Sequence, residues 1–201
     1  MHAFLKRLYI KSSTQLSCLL LVICLSLSAC DKAGTVDNEP KVYYDLKGFI
    51  DNQITYLNEI KPKVAKKVTL NGKEESQQET QIDWKKELEL FAQADINKPA
   101  YAKSYTVTKS DSSVFEYKLK AGENLPVRYL MIKVDSATQQ PVRVKAIVQS
   151  ENRIYKSQRN IELACTRKNN LVEVSSYTIQ GYQKLVLMDA KTFNVTAKIG
   201  L

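Results

Sequence analysis

Side chains able to do covalent or acid–base chemistry are few in this 201-residue chain. It has one histidine, His2, and four cysteines, Cys18, Cys24, Cys30 and Cys165. A thiol acts as a nucleophile only when ionised, which takes a neighbouring base or cation. Cys30 stands out because it follows Ser28 and Ala29, small residues of the kind that mark a cleavage site, at the end of an apolar run. Cys165, in NIELACTR, falls on the same alternating face as Ile161 and Leu163 and reads as a buried, inert thiol. The carboxylates Glu116, Asp135, Glu151, Glu162, Glu173 and Asp189 show no spacing that pairs two of them in a pocket, as a glycosidase requires. The six glycines are isolated, so no phosphate-cradling loop is present, and no acidic run has calcium-loop spacing.

The segment that positions Cys30 settles its setting. Lys6, Arg7 and Lys11 precede an uncharged run of 12 residues, Leu16 to Leu27, with no acidic residue among them. About 20 apolar residues are needed to cross a bilayer, so this run reads as an export signal and not as a membrane span. Its end, Leu27-Ser28-Ala29-Cys30, resembles the lipobox of bacterial lipoproteins. The resemblance implies that Cys30 accepts a diacylglycerol, that the chain is cut between Ala29 and Cys30, and that the new amino terminus is acylated. The expected organisation is a removed signal over residues 1–29, a lipidated cysteine and flexible tether over 30–40, and a single domain over 41–201. Asp31 resembles the inner-membrane retention signal of enteric lipoproteins, although other Gram-negative groups sort differently, so the membrane and leaflet stay open.

Two exclusions follow from that processing. His2 leaves with the signal, which removes imidazole as general base, triad member or metal ligand. Only Cys165 then remains unmodified, so no disulfide forms within the chain. Lys6, Arg7 and Lys11 also leave, so 27 basic side chains face 21 acidic ones. This moderate, scattered excess suits a solvated surface with some attraction to anionic headgroups or envelope polysaccharide, and an exported protein has little occasion to meet nucleic acid.

Beyond the polar tether DKAGTVDNEP, Val42, Leu46, Phe49, Ile50, Leu57 and Ile60 recur at helical spacing, and Pro62 stops the pattern. This predicts an amphipathic helix over Lys41 to Ile60. Val64 to Leu70 followed by Asn71-Gly72 predicts a hairpin returning through KEESQQET. QIDWKKELELFAQADI predicts a second, shorter helix started at Trp84 and ended by Asp95, Asn97 and Pro99. From there the period becomes two: AYAKSYTVTK, VFEYKLKA, PVRYLMIKVD, PVRVKAIVQS, NRIYKSQRNIELAC, NLVEVSSYTIQGY, KLVLMD and FNVTAKI read as an antiparallel meander. The expected fold is α+β, with the two helices packed on the dry face of a curved antiparallel sheet.

VRYLMIKVDSATQQPVRVKAIVQSENRIYKSQRNIEL resembles, in strand rhythm, periplasmic lipoprotein carrier and receptor proteins, whose half-barrel sheet is closed by helices around an apolar cavity. That resemblance implies that Leu130, Ile132, Val144, Val148 and Leu187 face a ligand cavity. Tyr101, Tyr105, Tyr117, Tyr129, Tyr155, Tyr177 and Tyr182 sit in or beside strands, where they suit either a half-buried sheet or a sugar or lipid platform. Arg143 and Lys145 share a strand face near Arg153 and Arg159 and suit an anion. Together these features predict a noncatalytic, lipid-anchored binding or scaffolding lipoprotein of the bacterial envelope, without cofactor or metal, that contacts protein, glycan or lipid. The alternative is a lipid or lipoprotein carrier or receptor.

Overall fold

The computed structural model describes residues 41–111, 113–168 and 171–200. The expected signal, the expected cleavage and lipidation residues Ala29 and Cys30, and the expected tether lie outside these residues, as does the expected turn at Asn169-Asn170. Lys41–Leu201 forms a compact unit through its own contacts. Its helices are α1 (Leu46–Ile60), α2 (Trp84–Glu87) and α3 (Glu89–Gln93), with a 3₁₀ turn at Pro99–Tyr101. Its strands are β1 (Val64–Leu70), β2 (Lys73–Glu79), β3 (Tyr105–Asp111), β4 (Val114–Leu119), β5 (Val127–Val134), β6 (Pro141–Glu151), β7 (Tyr155–Lys168), β8 (Leu171–Leu185) and β9 (Lys191–Ile199). They form one open antiparallel sheet in the order β2-β1-β9-β8-β7-β6-β5-β4-β3. The α+β expectation therefore takes the form of a nine-stranded sheet with few helices.

Helix α1 starts later than its apolar spacing predicts. Asn97 is the reason: its side-chain oxygen accepts from the Tyr43 N–H at 2.9 Å, and its amide donates to the Tyr44 carbonyl at 2.9 Å. Those backbone groups are thereby committed outside a helix. Asp45 then caps, accepting from the Gly48 N–H at 2.9 Å, and the buried Asp95 accepts from the Lys47 N–H at 3.0 Å. Val42 is left 62% exposed, outside the helix that was expected to include it. At the other end Lys61 adopts a left-handed conformation, its N–H returns to the Leu57 carbonyl, and Pro62 forbids another turn. Leu46, Phe49, Ile50, Gln53 and Leu57 form the buried stripe. The second helix is interrupted at Leu88, which is fully buried with φ −99° and ψ 5°, and so becomes α2 and α3.

The Asn71-Gly72 hairpin forms as read, with φ of 48° and 83° at its two central residues. It does not stand alone, because β1 pairs along its whole length with β9, from Val64 opposite Ile199 to Leu70 opposite Phe193. The all-polar β2 becomes a sheet edge, where charge discourages further pairing. KLVLMD is not a separate strand. Residues through Leu185 extend β8 as far as its partner Tyr155, and beyond that point no strand is left to pair with.

Strand β8 carries an extra residue, Ser175, opposite the Ala164/Cys165 step of β7, and its hydroxyl donates to the Ala164 carbonyl at 3.2 Å. Pairing with β9 begins only at Ser176, so the preceding backbone has no strand on that side. Gln53 of α1 fills the gap: its amide donates to the Val172 carbonyl at 2.9 Å, and its oxygen accepts from the Val174 N–H at 2.9 Å. Gln53→Ala would leave both groups without partners in a largely buried place and is expected to cost about 2–4 kcal/mol in urea denaturation. Gln53→Glu should rescue little, since a carboxylate cannot donate to Val172.

Candidate functional site

The two faces of the sheet differ in chemistry. On the helix-covered face Leu130, Ile132 and Val144 are completely buried, in one apolar cluster with Leu46, Ile50, Leu57, Phe91 and Leu163. Val148 is half-buried further down the same face. Leu187 is nowhere near these four in environment: it is 99% exposed, in the turn after β8, with φ of 67°. The expected set of five cavity residues is therefore not brought together, because Leu187 belongs to a loop and not to the strand that its neighbours' hydrophobicity suggests.

The tyrosines also divide. Tyr105, Tyr117 and Tyr177 are buried on the helix side, whereas Tyr129 and Tyr182 alternate to the outer face. Tyr43, which the helical pattern hid, organises the buried group. Its ring lies edge-on to Tyr105 at 5.8 Å and to Tyr117 at 5.4 Å between centroids. Its hydroxyl donates to the Ala102 carbonyl at 2.8 Å, the Tyr105 hydroxyl donates to the Val127 carbonyl at 2.9 Å, and the Tyr117 hydroxyl accepts from the Tyr44 N–H at 3.1 Å. These rings are satisfied packing elements. A second polar cluster ties α2 to the sheet: Lys66 of β1 meets Glu87 at 2.8 Å and Glu79 at 3.7 Å, and the Tyr177 hydroxyl bonds Glu87. Its spacing in sequence, 66, 79, 87 and 177, gave no signal.

Arg143 and Lys145 do share the outer face, but Glu162 of β7 occupies both, at 2.6 and 3.2 Å. Arg159 falls on the opposite face, in register with Val148, and Arg153 lies in the turn before β7. The four therefore do not form one anion site. Of the carboxylates, Glu116 accepts from the Tyr129 hydroxyl at 2.7 Å, Glu173 from the Tyr56 hydroxyl at 2.9 Å, and Glu151 pairs with Lys156 at 3.2 Å. Asp135 closes the β5–β6 turn, accepting from the Thr138 and Ala137 N–H groups, which hold its carboxyl below the usual range. Among the described residues no group of three or more His, Cys, Asp or Glu is placed to hold a metal ion, and no helix is long and apolar enough to cross a membrane.

Two shallow grooves open on the outer face, each of about 640 Å³. One spans β2, β1, β9 and β8, where Lys67, Ser76, Gln78, Thr178, Thr196 and Lys198 alternate outward. The other lies over β4–β7 between Lys118, Arg128, Tyr129, Ile147, Gln149 and Gln158. In this second groove the terminal nitrogens of Arg128 donate to the Asn124 side chain at 2.9 Å and the Glu123 carbonyl at 3.4 Å, while its Nε is buried without a hydrogen-bond partner among the described atoms. Burial and the Glu116 carboxylate push the Tyr129 hydroxyl up to about 12, so it stays protonated. Hydroxyls, amides and cations with one aromatic face make up a hydrogen-bonding surface. The chain matches no known family model, no curated protein and no solved structure.

Cys165 lies against the core, and burial pushes its thiol up to about 12. At neutral pH it is a thiol, not a thiolate. Alkylation in the native protein should run roughly a hundredfold or more slower than in denaturant. Because the folded state disfavours the thiolate, folding should weaken as pH rises from about 8.5 toward 12. Cys165→Ala should flatten that part of a pH–stability curve.

Proposed function

We propose that the protein is a noncatalytic, lipid-anchored binding or scaffolding lipoprotein of the bacterial cell envelope. The anchor rests on Leu27-Ser28-Ala29-Cys30 and the short charged-then-apolar leader before it. The binding role rests on the contrast between faces, and one observation carries it. Leu130, Ile132 and Val144 are taken up by core packing against α1, which leaves the outer grooves, where polar side chains border largely apolar surface, as the recognition surface. Such a surface suits a glycan or protein partner, since directed hydrogen bonds and the half-buried Tyr129 ring supply orientation. In the carrier or receptor alternative the curved sheet would hold helices around a ligand space lined by those same side chains, and their close packing with Leu46, Ile50 and Leu57 favours the scaffold reading.

Growth with an alkyne-bearing palmitate tests the anchor. Label on the wild-type chain and none on Cys30→Ser is the expected result; an unlabelled wild-type protein in an envelope expressing other labelled lipoproteins overturns it. Native mass spectrometry of residues 30–201 carrying Cys30→Ser separates the two readings. The scaffold predicts a clean polypeptide mass, and near-stoichiometric acyl lipid would sink it.

A further inference from the structure

Six of the large exposed apolar side chains gather at one end of the sheet. In the antiparallel order the ends of β1, β6 and β8 and the starts of β7 and β9 lie side by side. Leu70 closes β1 at 56% exposure, Ile154 stands in the β6–β7 turn at 66%, and the β8–β9 turn brings Leu185, Val186, Leu187 and Met188 at 45, 55, 99 and 49%. Two hydrogen bonds join the three turns into one rim: Val186 N–H to the Ile154 carbonyl at 3.0 Å, and Asn71 N–H to the Thr192 carbonyl at 3.0 Å. The opposite end of the sheet carries fewer such side chains: its β5–β6 turn is the polar Asp135-Ser136-Ala137-Thr138-Gln139-Gln140, and Leu171 at the start of β8 is exposed.

Leu187 is costly twice over. Its side chain is wholly in water, and its φ of 67° is a conformation that an L-residue with a branched chain rarely takes and that glycine or asparagine takes readily. Folding gains nothing from leucine there. Charge around the rim is mostly positive. Glu74 and Glu151 are already engaged by Lys67 at 2.8 Å and Lys156 at 3.2 Å. That leaves Lys73, Arg153, Lys184 and Lys191 without ion-pair partners among the described residues, against Glu75 and Asp189. Lys156 and Lys184 sit directly opposite each other in the β7–β8 ladder, and Glu151 partners Lys156, which leaves the Lys184 ammonium beside a second cation without an ion-pair partner of its own among the described residues.

We propose that this rim inserts into an anionic lipid surface, with Leu187 and its neighbours entering the acyl region and the surrounding lysines and Arg153 lying at the phosphates. A protein partner fits less well: the side chains are aliphatic on protruding turns, whereas the buried centres of protein interfaces favour aromatics and exclude lysine. Short aliphatic tips ringed by lysine suit a headgroup boundary, where each basic residue adds to attraction and each apolar one to depth. This contact is separate from acylation at Cys30. It makes a second membrane attachment at the end of the sheet and sets the direction in which the outer grooves face.

Because Lys41–Leu201 is compact with its own core, residues 41–201 can be tested without any acyl chain, so the result does not depend on the anchor. Co-sedimentation with phosphatidylcholine vesicles that contain phosphatidylglycerol should pellet the protein, and vesicles of phosphatidylcholine alone should pellet far less. Leu187→Asn should weaken apparent affinity about tenfold while raising the melting temperature, because asparagine accepts the turn geometry. Lys184→Glu should remove most of the preference for anionic vesicles, and Val107→Asn, which alters an exposed apolar residue of the β3 edge, should leave binding unchanged. Absence of pelleting, or pelleting that Leu187→Asn and Val107→Asn reduce equally, overturns the proposal; in the first case the rim is left to a protein partner.

Discussion

A side-chain amide standing in for a strand is the contact on which the packing of this molecule turns. Where β8 runs past the end of β9, its backbone would face an apolar interior with unpaired polar groups, a cost of several kcal/mol. Gln53 meets both groups at once, and this fixes α1 in position and rotation against the sheet. Leu46, Ile50 and Leu57 are thereby placed on the central strands. The helix register that buries one glutamine amide is also the one that fills the space above Leu130, Ile132 and Val144.

Around that contact the covering layer is held by groups far apart in the chain. Asp95 and Asn97 receive the start of α1, and Tyr43 and Tyr44 reach β3, β4 and the Pro99 turn. Glu87 anchors α2 to Lys66 and Tyr177. Each of these is a polar group brought out of water with its partner, so the layer is oriented by directional bonds as well as by apolar burial. A helical layer fixed in this way closes one face and leaves the other face and the turns exposed.

Much of the local structure was legible. Asn71-Gly72 permits the positive φ of a tight hairpin, Pro62 ends α1, and the period of two after Pro99 yields the meander with turns close to the polar clusters expected. Cys165 lies on the face that its alternation with Ile161 and Leu163 requires. The misreadings share one cause. Val42 continues a helical spacing, yet Asn97, more than fifty residues away, takes the backbone bonds that a helix start would need. KLVLMD has the hydrophobicity of a strand, yet a strand exists only where a partner runs beside it, and β7 stops at Tyr155. Arg159 and Arg143 look like neighbours until the register puts them on opposite faces.

By itself the sequence determined what depends on near neighbours: the helix stripe, the hairpin turn and the alternation of the strands. Tertiary structure alone decided which ends meet. The union of β1 with β9, the bulge at Ser175 with the glutamine that repairs it, the filling of the helix-side face and the gathering of Leu70, Ile154 and the Leu185–Met188 turn into one rim all join residues tens of positions apart. Pairing of that kind has no local signal, because its energy comes from hydrogen bonds and buried area that exist only after the sheet has closed the distance.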